Sequence, residues 1–210
     1  MILSFSRRFA FVAIPKTAGH ALRAVLRPLL APNDWEQCTL FDRRYFPVQA
    51  LAAYGHGHLS YLDVQPFLLP GQWDGLTSFA VVRSPFDRFL SFARFAWRKT
   101  GEMERDPLGT MKRALADPDR RGHILLRPQH EFVCDEEGRI RTTLLLRHEN
   151  LAEEVDRLAE ALGAPLPPLA AVNVSPATAG AALDAELADM IRARYARDFA
   201  LFGYDPATMP

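Results

Sequence analysis

The sequence has little cysteine, little lysine and no long apolar run. Its two cysteines, Cys38 and Cys134, stand in unrelated contexts and give neither a disulfide framework nor metal-ligand spacing. No segment approaches the roughly 20 apolar residues that a membrane-spanning helix needs, so we expect a soluble, cytoplasmic protein. Lysine occurs only at positions 16, 99 and 112. Because lysine is rare in this chain, we expect a lysine in a phosphate-type loop to be there for its own chemistry.

An excess of charge of either sign is also lacking. The 25 basic and 25 acidic residues balance to a formal net charge of zero. A nonspecific nucleic-acid binder would carry a basic excess, so we expect no nucleic-acid partner. With 210 residues, about half of them hydrophobic, the chain is long enough to bury one α/β core. We therefore predict a single domain spanning residues 1–210. The preference for arginine over lysine and the abundant alanine favour a bacterial origin.

Apolar periodicity predicts strands that alternate with helices. Strands are predicted at residues 9–14, 77–82 and 142–146, and helices at residues 17–30, 63–69, 151–162 and 183–195, with one more beginning at Pro85. Residues 31–53 have no clear period and give no assignment. This alternation predicts a P-loop-like three-layer α/β/α fold with a central, mostly parallel sheet.

A phosphate-type loop is predicted between the first strand and the first helix. A turn that opens a helix presents unpaired backbone N–H groups and the positive end of the helix dipole, which favour an anion. Lys16 adds a charge, Thr17 a hydroxyl donor, and Gly19 room for close approach of a ligand. On these residues alone, an ordinary turn is an equal alternative. The candidate nucleotide-binding residues in this loop are Pro15, Lys16, Thr17, Ala18, Gly19, His20 and Ala21.

The loop differs from that of ordinary ATPases. The motif G-x-x-x-x-G-K-[ST] requires glycine before the lysine, whereas Pro15 precedes Lys16. An ATPase or kinase also needs an acidic magnesium ligand after a neighbouring strand, where this chain has Arg83. An arginine there suits a second phosphate better than a metal, so no metal is expected. Ser84 and Asp87 are predicted to cap the helix that follows.

Two segments resemble the carbohydrate-type sulfotransferases that use 3'-phosphoadenosine 5'-phosphosulfate (PAPS). Residues 11–18 resemble that family's F-V-x-I-P-K-T-A segment, and residues 83–91 are similar to its R-x-P-x-x-R-x-x-S segment. The resemblance implies that the first segment binds the 5'-phosphosulfate and that Arg83 and Ser91 bind the 3'-phosphate. It extends to residues 55–58, 149–151, 173–175 and 198–204. The family often has two hydroxyl residues after the glycine, where this chain has His20 and Ala21.

The resemblance also implies the reaction, which is transfer of a sulfuryl group from PAPS to a hydroxyl of a carbohydrate or small-molecule acceptor. The segment from Gly55 to His58 is similar to that of heparan sulfate 2-O-sulfotransferases, in which histidine is the base. His58 is our first choice for the base, with His56 as its helper or replacement, and Lys16 would stabilise the sulfuryl group. Two other functions stay open: a P-loop kinase or nucleotidase, and a catalytically silent PAPS-binding module. Asn173 and Ser175 are candidates for a loop over the nucleotide.

Overall fold

A computed structural model describes residues 1–37, 46–169 and 183–210. The chain divides into two compact units: the first comprises Met1–Val82 and Gln129–Val172, and the second comprises Arg83–Pro128 and Asn173–Pro210. That residues 1–210 fold as a single domain stays a prediction. Cys38, Asn173 and Ser175 lie outside the described residues.

The first unit contains a five-stranded sheet. Its strands are β1 (Ile2–Ser4), β2 (Phe9–Val12), β3 (Trp35–Glu36), β4 (Thr77–Val82) and β5 (Leu144–Arg147), in the order β3-β1-β2-β4-β5. The pairs β2–β4 and β4–β5 are parallel, whereas β1 is antiparallel to both β2 and β3. All strands except β1 therefore run in one direction. The predicted α/β class with a mostly parallel sheet is confirmed, and the P-loop-like three-layer arrangement stays a prediction.

Ten α-helices lie in the described parts of the chain. They are α1 (Gly19–Leu26), α2 (Gln49–Ala52), α3 (Tyr61–Val64), α4 (Pro85–Ala96), α5 (Glu102–Arg105), α6 (Pro107–Ala116), α7 (His130–Val133), α8 (Leu151–Leu162), α9 (Ala185–Arg194) and α10 (Ala196–Phe202). None of these helices is long and apolar enough to cross a membrane.

The core of the first unit lies between one face of the sheet and helices α1 and α8. Alternate residues of the central strands point to this face, and the rings of Phe11 and Phe79 stack with their centroids 5.3 Å apart. Leu22 of α1 and Leu158 of α8 pack against them and are fully buried. This packing anchors α1, and with it the loop that precedes α1.

The second unit has its own apolar core, built from α4, α6, α9 and α10. The ring of Phe86 on α4 meets the ring of Phe199 on α10 edge to face, with centroids 5.1 Å apart. The apolar face that the sequence predicts for α4 is buried as expected. It comprises Phe86, Phe89, Leu90, Ala93 and Trp97.

Several predicted bounds differ from the structure, and one predicted cap is wrong. Strand β4 and helix α8 have the predicted bounds, but α1 begins at Gly19, two residues later than predicted. Ser84 occupies the N-cap position of α4, yet its side chain forms no capping hydrogen bond, so the predicted capping box with Asp87 is absent. A capping box is present on α3 instead, where Ser60 and Asp63 cap each other.

Candidate active site

The loop after β2 has an uncommon backbone conformation. Lys16 and Ala18 have φ angles of 68° and 67°, and among the described non-glycine residues only Arg8 is also in this left-handed region. The left-handed conformation costs a residue with a Cβ about 1–2 kcal/mol. Strain of this kind is concentrated at binding and catalytic sites, where the geometry serves function. The strain here falls on the residues that the sequence predicts to bind a phosphate.

The loop leads directly into the N-terminus of α1. Ala18 is the N-cap residue and provides no side-chain cap, and the first turn of α1 contains no acidic residue. The positive end of the helix dipole is therefore not neutralised by a carboxylate of the helix itself. A Cβ placed on Gly19 would contact only the Cβ of Ala13, at 4.0 Å, so packing within the protein does not require glycine there. These features suit an anion that approaches the backbone.

The side chains of the predicted loop residues face different environments. The Thr17 hydroxyl is buried and donates a hydrogen bond to the Ile14 carbonyl, at 3.0 Å, which holds the turn together. Pro15 and Ala21 are buried, whereas Lys16 is half-buried and His20 is exposed. Partial desolvation and the positive charges of three neighbours lower the pKa of His20, and these neighbours are Arg23, Lys16 and Arg27. The ring of His20 thus lies in a positive electrostatic environment.

His58 lies against the start of this loop. Its Nδ1 is 2.7 Å from the carbonyl oxygen of Ala13. Since a carbonyl oxygen only accepts, Nδ1 carries the proton, and in the neutral ring Nε2 keeps its lone pair. Burial lowers the pKa of His58 to about 3, against the opposing effect of the Ala13 hydrogen bond. The neutral form of this ring, with Nε2 as the proton acceptor, is the form that the fold stabilises.

His56 has the opposite arrangement of ring nitrogens. Its Nδ1 accepts a hydrogen bond from the backbone N–H of His58, at 3.3 Å, so in the neutral ring Nε2 carries the proton. The two imidazole centroids are 6.2 Å apart, and the Tyr54 ring meets His56 edge to face at 5.7 Å. In their neutral forms, His58 therefore has an acceptor at Nε2 and His56 has a donor at Nε2.

Arg83 and Ser91 belong to the second unit. Arg83 is the residue after β4, and Ser91 lies two turns into α4; both are half-buried. Within the described residues the Ser91 hydroxyl has no hydrogen-bond partner. Arg88 of the same helix is buried and has a structural role, because it donates a hydrogen bond to the Arg127 carbonyl at 3.1 Å and packs over the Tyr195 ring.

The first unit contains one part of the predicted site. The first unit joins the loop of residues 15–21 to His58 through Ala13, and it also places His56 beside His58. No sequence pattern indicates Arg23, a buried arginine of α1 that donates a hydrogen bond to the Gly57 carbonyl. Hydrophobic periodicity cannot reveal a charged residue on a buried helix face. Among the described residues, no group of histidine, cysteine or acidic side chains could hold a metal ion.

Comparison with known protein families gives a match over nearly the whole chain. A family model described as "Sulfotransferase family" matches residues 2–205, which includes the loop, the histidine segment and the residues after β4. No curated protein and no solved structure matched the chain. Because the match covers nearly the whole sequence, the chain belongs to the sulfotransferase family.

Proposed function

We propose that this sulfotransferase moves the sulfuryl group of PAPS to a hydroxyl of a carbohydrate or small-molecule acceptor, in the manner of the heparan sulfate 2-O-type enzymes. The observation that carries the proposal is the hydrogen bond from His58 Nδ1 to the Ala13 carbonyl. It attaches a neutral histidine with an available Nε2 lone pair to the strand end that opens the phosphate-type loop.

The loop would bind the 5'-phosphosulfate. Its backbone N–H groups and the N-terminus of α1 favour an anion, and Lys16 adds a positive charge. We assign this contact to the backbone of Thr17 and not to its hydroxyl, which is bonded to Ile14. Arg83 and Ser91 would bind the 3'-phosphate through a guanidinium and a hydroxyl. That second contact distinguishes PAPS from nucleotides without a 3'-phosphate.

The transfer itself needs alignment and charge stabilisation more than covalent chemistry from the protein. His58 Nε2 accepts the proton of the acceptor hydroxyl as the acceptor oxygen bonds to sulfur. The bond from sulfur to the bridging oxygen breaks, and 3'-phosphoadenosine 5'-phosphate leaves with the electron pair. Lys16 would stabilise charge on the bridging oxygen, and His56, with its proton on Nε2, would donate a hydrogen bond.

Calorimetry tests the donor. We expect the protein to bind 3'-phosphoadenosine 5'-phosphate in preference to ATP with magnesium. Gly19→Ala should weaken that binding, although alanine favours a helix over glycine by about 1 kcal/mol and should not destabilise the fold. Lys16→Gln should weaken it as well, while Lys99→Gln, at an exposed lysine on the second unit, serves as the control. A preference for ATP with magnesium would instead indicate a kinase or nucleotidase.

Transfer of labelled sulfate from PAPS to a panel of glycan and small-molecule acceptors tests the reaction. His58→Gln combined with His56→Gln should lower kcat by about 10²- to 10⁴-fold, the usual contribution of a general base. The affinity for 3'-phosphoadenosine 5'-phosphate should be unchanged. Nucleotide binding without transfer to any acceptor would point to a silent binding module. A double variant with unchanged kcat would remove the histidines from the mechanism.

A further inference from the structure

A buried arginine connects three separate segments of the first unit. Arg23, on α1, has 5% of its surface exposed, and its Nη1 donates to Oε1 of Glu36 on β3 at 2.9 Å. Its Nη2 donates to the carbonyl oxygen of Gly57, also at 2.9 Å. One guanidinium thus joins the helix after the phosphate-type loop to the edge strand and to the segment that carries His56 and His58.

Neutralisation of Glu36 does not account for Arg23. Arg27, the C-cap residue of α1, places its Nε 3.1 Å from both carboxylate oxygens of Glu36. The buried carboxylate would keep a positive partner without Arg23, and a buried ion pair is weak evidence for stability. Of these two arginines, Arg23 is the one that donates a hydrogen bond to the Gly57 carbonyl.

Gly57 is closely surrounded by other residues and leaves no room for a side chain. A Cβ at this residue would lie 2.6 Å from the carbonyl oxygen of Gln37 and 2.9 Å from Nη2 of Arg23. The amino group of Met1 also donates to the Gly57 carbonyl. The backbone between the two histidines is therefore fixed by groups from α1 and from the sheet edge.

We propose that Arg23 is a positioning residue for sulfuryl transfer: it holds the Gly57 carbonyl so that the His58 ring stays bonded to Ala13 with Nε2 as the proton acceptor. This inference rests on the proposed function, because it assigns Arg23 to the same site. Misplacement of a reacting group by about 1 Å can cost 10²-fold in rate. Loss of Arg23 should therefore lower kcat much more than it raises KM.

Arg23 also contributes to the charge state of His58. Burial is the main cause of the low pKa of His58, and the positive charges of the Met1 amino group and Arg23, with His56, lower it further. The hydrogen bond to Ala13 acts in the opposite direction. Removal of the Arg23 charge should therefore raise the pKa of His58, and a weakened bond to Ala13 should change the distribution of its tautomers.

The test compares Arg23, within α1, and Arg27, at the C-cap of α1, which share Glu36 as a partner. Arg23→Met removes a bond to Glu36 and the bond to Gly57. Arg27→Met removes the two bonds to Glu36 from a side chain that is 30% exposed, and it leaves the bond to Gly57 in place. We expect Arg23→Met to lower kcat about 10- to 100-fold with a similar affinity for 3'-phosphoadenosine 5'-phosphate. Arg27→Met should stay within about threefold, as expected for a partly exposed ion pair.

Nitrogen NMR of the His58 ring provides a readout that does not depend on activity. In the wild type the ring should be neutral with its proton on Nδ1 from pH 7 down to at least pH 5. Arg23→Met should shift the titration to higher pH and mix the tautomers, and Arg27→Met should do neither. Equal kcat and equal His58 spectra in the two variants would overturn the inference.

A third variant covers the case in which Arg23→Met does not fold. Arg23→Lys keeps the charge but cannot make both bonds with the geometry of a guanidinium. It should lower kcat while the His58 titration stays near that of the wild type; an unchanged kcat would overturn the inference. If the wild type failed to bind 3'-phosphoadenosine 5'-phosphate, the proposed function would fail, and the His58 spectra would still decide whether Arg23 positions the segment.

Discussion

At the scale of single residues, His58 links the site to the stability of the fold. Its pKa is about 3 in the folded chain, against 6.5 for an unperturbed histidine. Between these values the unfolded chain binds a proton that the folded chain does not, so stability is complete above pH 6.5 and falls as the pH is lowered. The same environment that keeps the His58 ring neutral therefore makes the fold sensitive to acid.

His58→Gln tests this linkage. Below pH 6.5 the free energy of unfolding of the variant should fall less steeply than that of the wild type, because the proton-binding group is gone. The two slopes should differ by up to about 1.4 kcal/mol per pH unit. Urea unfolding at pH 7, 6 and 5 measures the free energy of unfolding of both proteins. Because the carboxylates are the same in both, their contributions cancel in the difference. Parallel stability profiles would mean that His58 titrates normally in the folded chain.

The two glycines of the histidine segment should respond differently to alanine. Gly57→Ala places a Cβ 2.6 Å from the Gln37 carbonyl, and overpacking of this kind costs about 1–3 kcal/mol. Gly55→Ala meets no atom within 4 Å, and its cost comes only from a φ of 67°, about 1–2 kcal/mol.

Activity separates the two variants more clearly than stability does. We expect Gly57→Ala to lower kcat at least about tenfold, since it displaces the backbone between His56 and His58. Gly55→Ala should retain most of the wild-type kcat at a temperature where both variants are folded. A larger loss of kcat in Gly55→Ala would contradict the role assigned to the Gly57 carbonyl.

At the scale of elements, long periodic segments are the predictable part of this fold. The sequence predicts β4 and α8 with the observed bounds, because an apolar run and an amphipathic pattern closed by Gly163 define them. It does not predict β1 or β3, since strands of three and two residues carry no period. The last predicted helix, residues 183–195, corresponds to α9 alone, and the sequence does not predict α10.

The features of the site are also predictable where local sequence determines them, and not where tertiary contacts determine them. The loop at Lys16 could be predicted because a strand, a turn and a helix follow one another in sequence. The tautomer of His58 could not, because it depends on the carbonyl of Ala13, 45 residues away in the chain. Arg23 is equally hidden, since its partners Glu36 and Gly57 come from segments without a clear period.

The left-handed residue at the start of α1 gives a test at this scale. Ala18→Gly should relieve strain of about 1–2 kcal/mol and offset the entropic cost of glycine, leaving the free energy of unfolding equal or higher. Ala24→Gly, at an exposed position inside α1, should lower the free energy of unfolding by about 1 kcal/mol. Chemical unfolding compares the two variants, and equal losses of stability would contradict the left-handed conformation at Ala18.

At the scale of the whole molecule, the two compact units either unfold together or unfold independently. Each compact unit has its own buried apolar cluster, one centred on the sheet with α1 and α8 and one on α4, α6, α9 and α10. The chain crosses from the first unit to the second directly after β4, at Arg83, and returns at Gln129. Because the first unit is completed only by this return, we keep the prediction of a single domain.

A pair of matched core variants tests that prediction. Leu158 of α8 and Leu187 of α9 are both fully buried, one in each cluster, and each change to alanine should cost about 2–5 kcal/mol. In a single cooperative domain both variants lower the midpoint of one common transition, followed by calorimetry and by circular dichroism. If the units unfolded independently, the wild type would show two transitions, and each variant would move only one of them. We expect one transition, because β4 continues directly into Arg83 and α4, so that unfolding of either unit would release the end of a strand paired on both sides.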